Sequence, residues 1–143
     1  MTEKKIRLPA YMERTLGFTI PQNGRFYVFY FDDLVYYDIS KGVVEERDSN
    51  WDFDDETNLV FLDGQEIPFV GLWGGDPILK REDLGILSLQ DSKVTLERPD
   101  GKKQLWDFSN FSGDWEQVTF DRVKNAFIFG APYDFDYRYI EIT

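Results

Sequence analysis

Residues 93–108 read KVTLERPDGKKQLWDF and form the clearest hairpin pattern in the chain. Val94 and Leu96 alternate with polar neighbours, which predicts a strand with one buried face and one face in water. Pro99-Asp100-Gly101 is typical of a turn, because proline presets φ and glycine accepts a positive φ. The residues after this turn supply the returning strand, so an antiparallel hairpin is predicted here.

Strand patterns continue along the chain, in runs rich in β-branched and aromatic residues. These runs lie at 26–31, 34–39, 58–62, 67–70, 116–120, 126–129 and 137–142. Asp63-Gly64, between the third and fourth runs, is a strong hairpin turn. Pro68 indicates an edge position or a bulge, because proline has no amide donor. Strands about ten residues apart predict a mainly β fold: an antiparallel β-sandwich or barrel-like domain.

Helix is expected in only one or two short segments. Residues 78–84 are preceded by Asp76-Pro77 and followed by Gly85. A capping residue, a proline in the first turn and a terminal glycine together predict about two turns of helix. A further helical turn is predicted over residues 10–16.

The whole chain, residues 1–143, is predicted to form a single β-rich domain, since it contains neither a linker nor a low-complexity segment. Aromatic–Asp–Phe triplets begin at Trp51, Trp106 and Tyr133 and give a faint internal echo. A four-bladed propeller would need roughly 160–180 residues, and the triplets are unequally spaced. A repeat architecture is therefore the lesser alternative.

The residue types that are missing exclude most familiar catalytic chemistry. The chain has no histidine and no cysteine. It therefore cannot build a Ser-His-Asp or Cys-His site, a histidine-ligated metal centre or a thiolate zinc site. No phosphate-binding loop is present in the sequence, and no cofactor is expected. A non-enzymatic role is favoured over an enzymatic one.

The charge balance points to a basic partner. The chain carries 27 acidic and 16 basic residues, for a formal net charge of −11. Such a chain repels phosphates and anionic lipid, so we expect neither nucleic acid nor membrane as a partner. The same field attracts a basic protein and speeds its encounter. No stretch has the pattern of a transmembrane helix or a signal peptide, so the cytoplasm is the expected location.

Acidity is concentrated between residues 32 and 56, and residues 48–56 are its densest part. The partner-binding residues predicted there are Asp48, Trp51, Asp52, Asp54, Asp55 and Glu56. Oxygen-bearing side chains at 48, 50, 52 and 54 also alternate as at the start of a calcium loop. Phe53 stands where an EF-hand requires glycine, and Leu59 stands where it requires glutamate. An EF-hand is excluded, and a looser calcium site remains the alternative to a solvated loop.

Carbohydrate chemistry is the second hypothesis, because aromatic faces stack on sugars and paired carboxylates hydrolyse glycosides without histidine. Trp51, Trp106 and Trp115 adjoin acidic residues, and Asp76 lies three residues after Trp73. The carbohydrate-binding candidates are Trp51, Trp73, Trp106 and Trp115. Buried core positions are the competing explanation for these large side chains.

The sequence thus favours a non-enzymatic, acidic protein-interaction domain that binds a basic protein. Bacterial immunity proteins that neutralise cationic toxins share this profile of charge and size, which is an analogy and not a motif match. The alternatives are a carbohydrate-binding or carboxylate-based carbohydrate-acting β-domain, and a scaffold that assembles into a homo-oligomer through exposed strand edges.

Overall fold

The computed structural model describes residues 2–6, 15–30, 34–39, 41, 43–47, 51–54, 56, 59–67, 69–71, 74–75, 77–108, 116–131 and 136–142. These residues form strands and connecting turns. In chain order the strands are β1 (Thr2–Ile6), β2 (Thr15–Thr19), β3 (Arg25–Tyr30), β4 (Leu34–Asp38), β5 (Val43–Arg47), β6 (Trp51–Asp54), β7 (Leu59–Leu62), β8 (Gln65–Ile67), β9 (Phe69–Gly71), β10 (Gly74–Gly75), β11 (Lys80–Arg81), β12 (Gly85–Gln90), β13 (Lys93–Glu97), β14 (Lys103–Asp107), β15 (Gln117–Phe120), β16 (Ala126–Ala131) and β17 (Asp136–Glu141). Within these ranges no helix is long and apolar enough to cross a membrane.

The strands make four antiparallel sheets. The central sheet has the order β1-β17-β16-β15, and the amino-terminal sheet has the order β10-β9-β2-β3-β4-β5. The meander sheet is β11-β12-β13-β14, and the small sheet is β6-β7-β8. The predicted mainly β fold of antiparallel sheets is confirmed. None of the four sheets closes into a barrel within the described ranges.

The helix predicted over residues 78–84 is wrong, because β11 and a turn occupy this segment. The N–H of Ile78 donates to Thr119 Oγ1 at 2.8 Å, and the carbonyl of Ile78 accepts from the N–H of Phe120 at 2.8 Å. These bonds to the central sheet override the local helix signals. The helical turn predicted over residues 10–16 lies mostly outside the described residues, and its last two positions belong to β2.

The hairpin predicted at residues 93–108 is confirmed as β13 and β14, with Val94 opposite Trp106. The turn at Asp63-Gly64 is also confirmed, and both residues have positive φ, 49° and 83°. The strand predicted over residues 67–70 is instead divided between two sheets. Its first residue ends β8 in the small sheet, whereas β9 pairs with β2 in the amino-terminal sheet.

Each sheet is largely a meander of sequential strands, as in the blades of a propeller. Two departures tie distant parts of the chain together. β1 completes the central sheet by pairing with β17, so the first strand lies beside the last. β9 and β10 extend the amino-terminal sheet beyond β2.

The central sheet is buried on both faces. Along β16, Ala126 and Ile128 pack with the amino-terminal sheet, whereas Phe127 and Phe129 pack with the meander sheet. Alternate side chains of a strand point to opposite faces, which explains this division. Gly130 lets the two sheets approach closely, since a Cβ there would lie 2.6 Å from Cε1 of Phe18. The central sheet therefore organises both large cores.

The small sheet packs against the amino-terminal sheet through a third, smaller core. Val60 and Leu62 of β7 contact Phe29 of β3 and Phe69 of β9. The Phe29 and Phe69 rings meet edge to face, with centroids 5.7 Å apart. This packing uses one face of the small sheet and turns its other face outward.

Candidate functional site

The outward face of the small sheet is acidic. In the ladder, Asp52 of β6 lies opposite Phe61 of β7, and Phe61 lies opposite Glu66 of β8. Both carboxylate residues are exposed, and Phe61 is partly exposed between them. Directly opposed side chains in an antiparallel ladder have Cβ atoms about 4.5–5.5 Å apart. An aromatic ring flanked by two carboxylates therefore forms the middle of this face.

Further carboxylates surround this row. Asp54 lies two residues along β6 from Asp52 and so faces the same side. The N–H of Glu56 donates to Asp54 Oδ1 at 3.0 Å, which holds the start of the following turn. Asp63 is exposed at the tip of the β7–β8 turn. We call this set the acidic face: Asp52, Asp54, Glu56, Phe61, Asp63 and Glu66.

The strands of the small sheet contribute acidic side chains and no basic ones. The described residues of this sheet include neither lysine nor arginine, and residues 48–79 of the sequence contain eight acidic residues and no basic one. Like charges held this close together keep a local negative potential that attracts cationic groups. The partly exposed ring adds apolar surface, and guanidinium and ammonium groups bind well over aromatic rings.

The predicted partner-binding residues are placed as follows. Asp52, Asp54 and Glu56 are exposed on the acidic face. Trp51 belongs to β6, but its side chain lies outside the described set, as do Asp48 and Asp55. Within the described residues, no three acidic side chains converge in a way that would hold a metal ion.

Three members of the face were not predicted from the sequence: Phe61, Asp63 and Glu66. They join it because β7 and β8 fold back onto β6, and only the register shows this. A sequence signal does exist, since the absence of basic residues extends past residue 56 to residue 79. A charge count over that longer window would have included Asp63 and Glu66.

The tryptophan candidates for carbohydrate binding have a different environment where the structure describes them. Trp106 is 7% exposed and meets Phe127 edge to face, with ring centroids 5.0 Å apart. It therefore lies in the core between the meander and central sheets. Trp73 and Trp115 fall outside the described residues, and only the backbone of Trp51 falls within them.

Asp121, the most deeply buried carboxylate among the described residues, lies apart from the acidic face, just after β15. It accepts five hydrogen bonds. The donors are the backbone N–H groups of Asn23 (2.9 Å), Gly24 (2.8 Å), Val123 (2.8 Å) and Lys124 (3.0 Å), and the hydroxyl of Tyr139 (2.9 Å). Burial acts to raise the pKa of Asp121, but the four amides outweigh it and hold that pKa below its ordinary value.

This carboxylate joins two turns that are almost a hundred residues apart in sequence. One is the tight turn before β3, where Asn23 and Gly24 have φ values of 57° and 77°. The other precedes β16, and Arg81 braces it by donating to the carbonyls of Asp121 (2.9 Å) and Lys124 (2.7 Å). All five hydrogen-bond donors to this carboxylate belong to the protein itself. Asp121 therefore links the amino-terminal sheet to the central sheet.

The chain matches no known family model, no curated protein and no solved structure. Function is therefore argued from the geometry alone.

Proposed function

We propose that this chain is a cytoplasmic, non-enzymatic binding domain whose acidic face engages a basic protein. The observation that carries the proposal is the cross-strand row of Asp52, Phe61 and Glu66, on a sheet whose described residues include neither lysine nor arginine. Binding sites of this kind combine an aromatic anchor with surrounding charges that steer the partner.

The geometry favours a protein partner over a small ligand. The face is the outer surface of a sheet, so it offers a broad area and not an enclosed cavity. Small molecules are usually held in concave pockets, whereas protein partners are held by extended surfaces of roughly 800 Å² a side. A toxin-neutralising role of the immunity-protein kind is the narrower form of the proposal, supported by the size and acidity of the chain.

The test is a titration of the protein with an arginine-rich peptide, in which binding is measured by calorimetry at low and at moderate salt. The double variant Asp52→Lys/Glu66→Lys is expected to weaken binding by about tenfold or more, because it places cations on the face. The matched control is Glu82→Lys/Asp100→Lys, which changes the net charge equally but lies in turns of the meander sheet. The control should bind the peptide nearly as well as the unmodified protein.

Two outcomes would contradict the proposal. Equal weakening in both double variants would mean that overall acidity, and not this face, attracts the peptide. Affinity that does not fall with added salt would remove the electrostatic basis of the interaction. Phe61→Ala distinguishes a specific face from a diffuse one, since it should weaken binding without changing the charge.

A further inference from the structure

The outer edge of β14 is open in the described part of the structure. β14 is the last strand of the meander sheet, and no described residue pairs with its outer edge. Such an edge presents a row of backbone N–H and C=O groups to any further strand. Proteins commonly protect edges of this type, so an open edge indicates a site where another strand can pair.

Two backbone hydrogen bonds at the ends of the β13–β14 ladder show which backbone groups of β14 point outward. The N–H of Arg98 donates to the carbonyl of Lys102 at 2.7 Å, and the N–H of Phe108 donates to the carbonyl of Ser92 at 2.7 Å. Hydrogen-bonded and non-hydrogen-bonded positions alternate along an antiparallel ladder. The even-numbered residues of β14 therefore bond to β13, and the odd-numbered residues direct their N–H and C=O groups away from it.

The odd-numbered residues of β14 are Lys103, Leu105 and Asp107, and all three are exposed. Leu105 is 64% exposed, the highest value among the large apolar side chains described. The same three residues thus present their backbone groups at the edge and their side chains on the water-facing side of the sheet. Along the strand, the exposed side chains are therefore a cation, an apolar group and an anion, in that order.

We propose that two copies of this chain pair through β14, antiparallel and centred on Leu105. In that register Leu105 lies opposite Leu105 of the second copy, and Lys103 lies opposite Asp107 of the second copy. Each of these positions is a hydrogen-bonded pair, because the outward backbone groups belong to these residues. A continuous sheet through both copies results, with a twofold axis at its centre.

The charges support a second copy as the occupant. Within one copy, Glu97 lies opposite Lys103, and Lys93 lies opposite Asp107. Across the joined sheet the order becomes Glu97, Lys103, then Asp107 and Lys93 of the second copy, so that signs alternate at every step. Opposite charges on directly opposed positions stabilise a ladder, and like charges weaken it.

The register centred on Leu105 differs from its neighbours in what lies opposite the leucine. Shifting the twofold axis by one residue towards Gln104 places Lys103 opposite Leu105, and shifting it towards Trp106 places Leu105 opposite Asp107. Either shift therefore sets a charge against the leucine. Residues 80–107 also carry six acidic and six basic side chains. The meander sheet is thus neutral, and two copies can approach here without the repulsion expected from a net charge of −11.

The first test uses the absence of cysteine from the chain. Leu105→Cys introduces one thiol, and in the proposed register it lies about 5.5 Å, Cα to Cα, from its symmetry mate, within the range of a disulfide. Mild oxidation should convert most of the protein to a covalent dimer on a non-reducing gel. Ile86→Cys is the control, since it is exposed on the same face of the sheet but lies on β12. Equal cross-linking of the two variants, or none with Leu105→Cys, overturns the proposal.

The second test measures mass by sedimentation velocity. The unmodified protein should sediment at about twice 16.9 kDa at high micromolar concentration. Leu105→Pro removes an outward N–H and leaves the bonds to β13 intact. It should raise the dimer Kd about tenfold or more, whereas Leu105→Thr should change the Kd little.

The charge pairing is tested in the same way. Lys103→Glu should weaken the dimer, and Lys102→Glu, with the same charge change, should not. A monomer in the unmodified protein, or a dimer indifferent to Leu105→Pro, refutes the assignment.

Discussion

Replacing Asp121 by asparagine weakens the hydrogen bonds that link the amino-terminal and central sheets. The side chain keeps almost the same shape. In the unmodified protein, Oδ1 accepts from Asn23, Val123 and Lys124, and Oδ2 accepts from Gly24 and the Tyr139 hydroxyl. An asparagine can keep its oxygen among the three amides. Its amino group then faces the N–H of Gly24, so two donors oppose each other and one bond is lost.

The expected loss of stability follows from these contacts. A buried N–H left without an acceptor costs about 1–3 kcal/mol, and hydrogen bonds to a charged acceptor are stronger than those to a neutral one by about 1 kcal/mol. The variant no longer has to bury a charge, which offsets part of this loss. We expect a net decrease of about 3 kcal/mol in the free energy of unfolding, or a fall of about 10 °C in Tm for a chain of this size.

Urea denaturation of both proteins at several pH values provides the assay. Because the pKa of Asp121 is lowered in the folded state, its charge stabilises the protein above the unfolded pKa of about 3.9. That contribution is lost as pH falls through the folded pKa. The difference in the free energy of unfolding between the two proteins should therefore be largest at pH 7 and should shrink below about pH 4. A variant within about 0.5 kcal/mol of the unmodified protein at pH 7 would refute the reasoning.

Two further predictions concern the stability of the fold. Tyr139→Phe removes the hydroxyl that donates to Asp121 at 2.9 Å and should cost about 1.5–3 kcal/mol in urea denaturation at pH 7. Burial and the neighbouring carboxylate raise the pKa of Tyr139 well above its ordinary value, so the unmodified protein should lose stability as pH rises past about 10. The phenylalanine variant should lack the part of that loss that Tyr139 contributes, and identical alkaline profiles would contradict this prediction. Gly85→Ala should lower Tm, because φ is 123° there and an added Cβ would meet the carbonyl oxygen of Glu97. Gly64→Ala is the control: φ is 83° but nothing lies within 4 Å of the added Cβ, so a Tm loss as large as that of Gly85→Ala would contradict the steric argument.

Local patterns predicted the hairpins but not their partners. The alternation around Val94 and Leu96 and the turn at Asp63-Gly64 were sufficient, because adjacent strands of a hairpin are joined by the turn itself. The segment at residues 78–84 was assigned wrongly for the converse reason. Its helix signals are local, whereas Ile78 is bonded to β15, about forty residues away in sequence.

The acidic face was predicted in part. Asp52, Asp54 and Glu56 follow from the density of acidic residues in one short segment, and they are exposed as expected for charged side chains. Phe61 and Glu66 required the ladder, since a strand pattern alone does not say which residue lies opposite which. The hydrogen bonds from Asn23 and Gly24 to Asp121 were beyond prediction, because they join residues 98 and 97 positions apart.

The sequence by itself determined the class of fold, the acidity and the chemistry that is excluded. These properties depend on composition and on periodicity over a few residues, and both can be read without knowing the partners of a strand. The tertiary structure alone decided that the central sheet is buried on both faces, that Trp106 lies in the core, and that Lys103, Leu105 and Asp107 share the exposed face of an edge strand. Those properties depend on register and on contacts between distant residues, which are set when the sheets pack together.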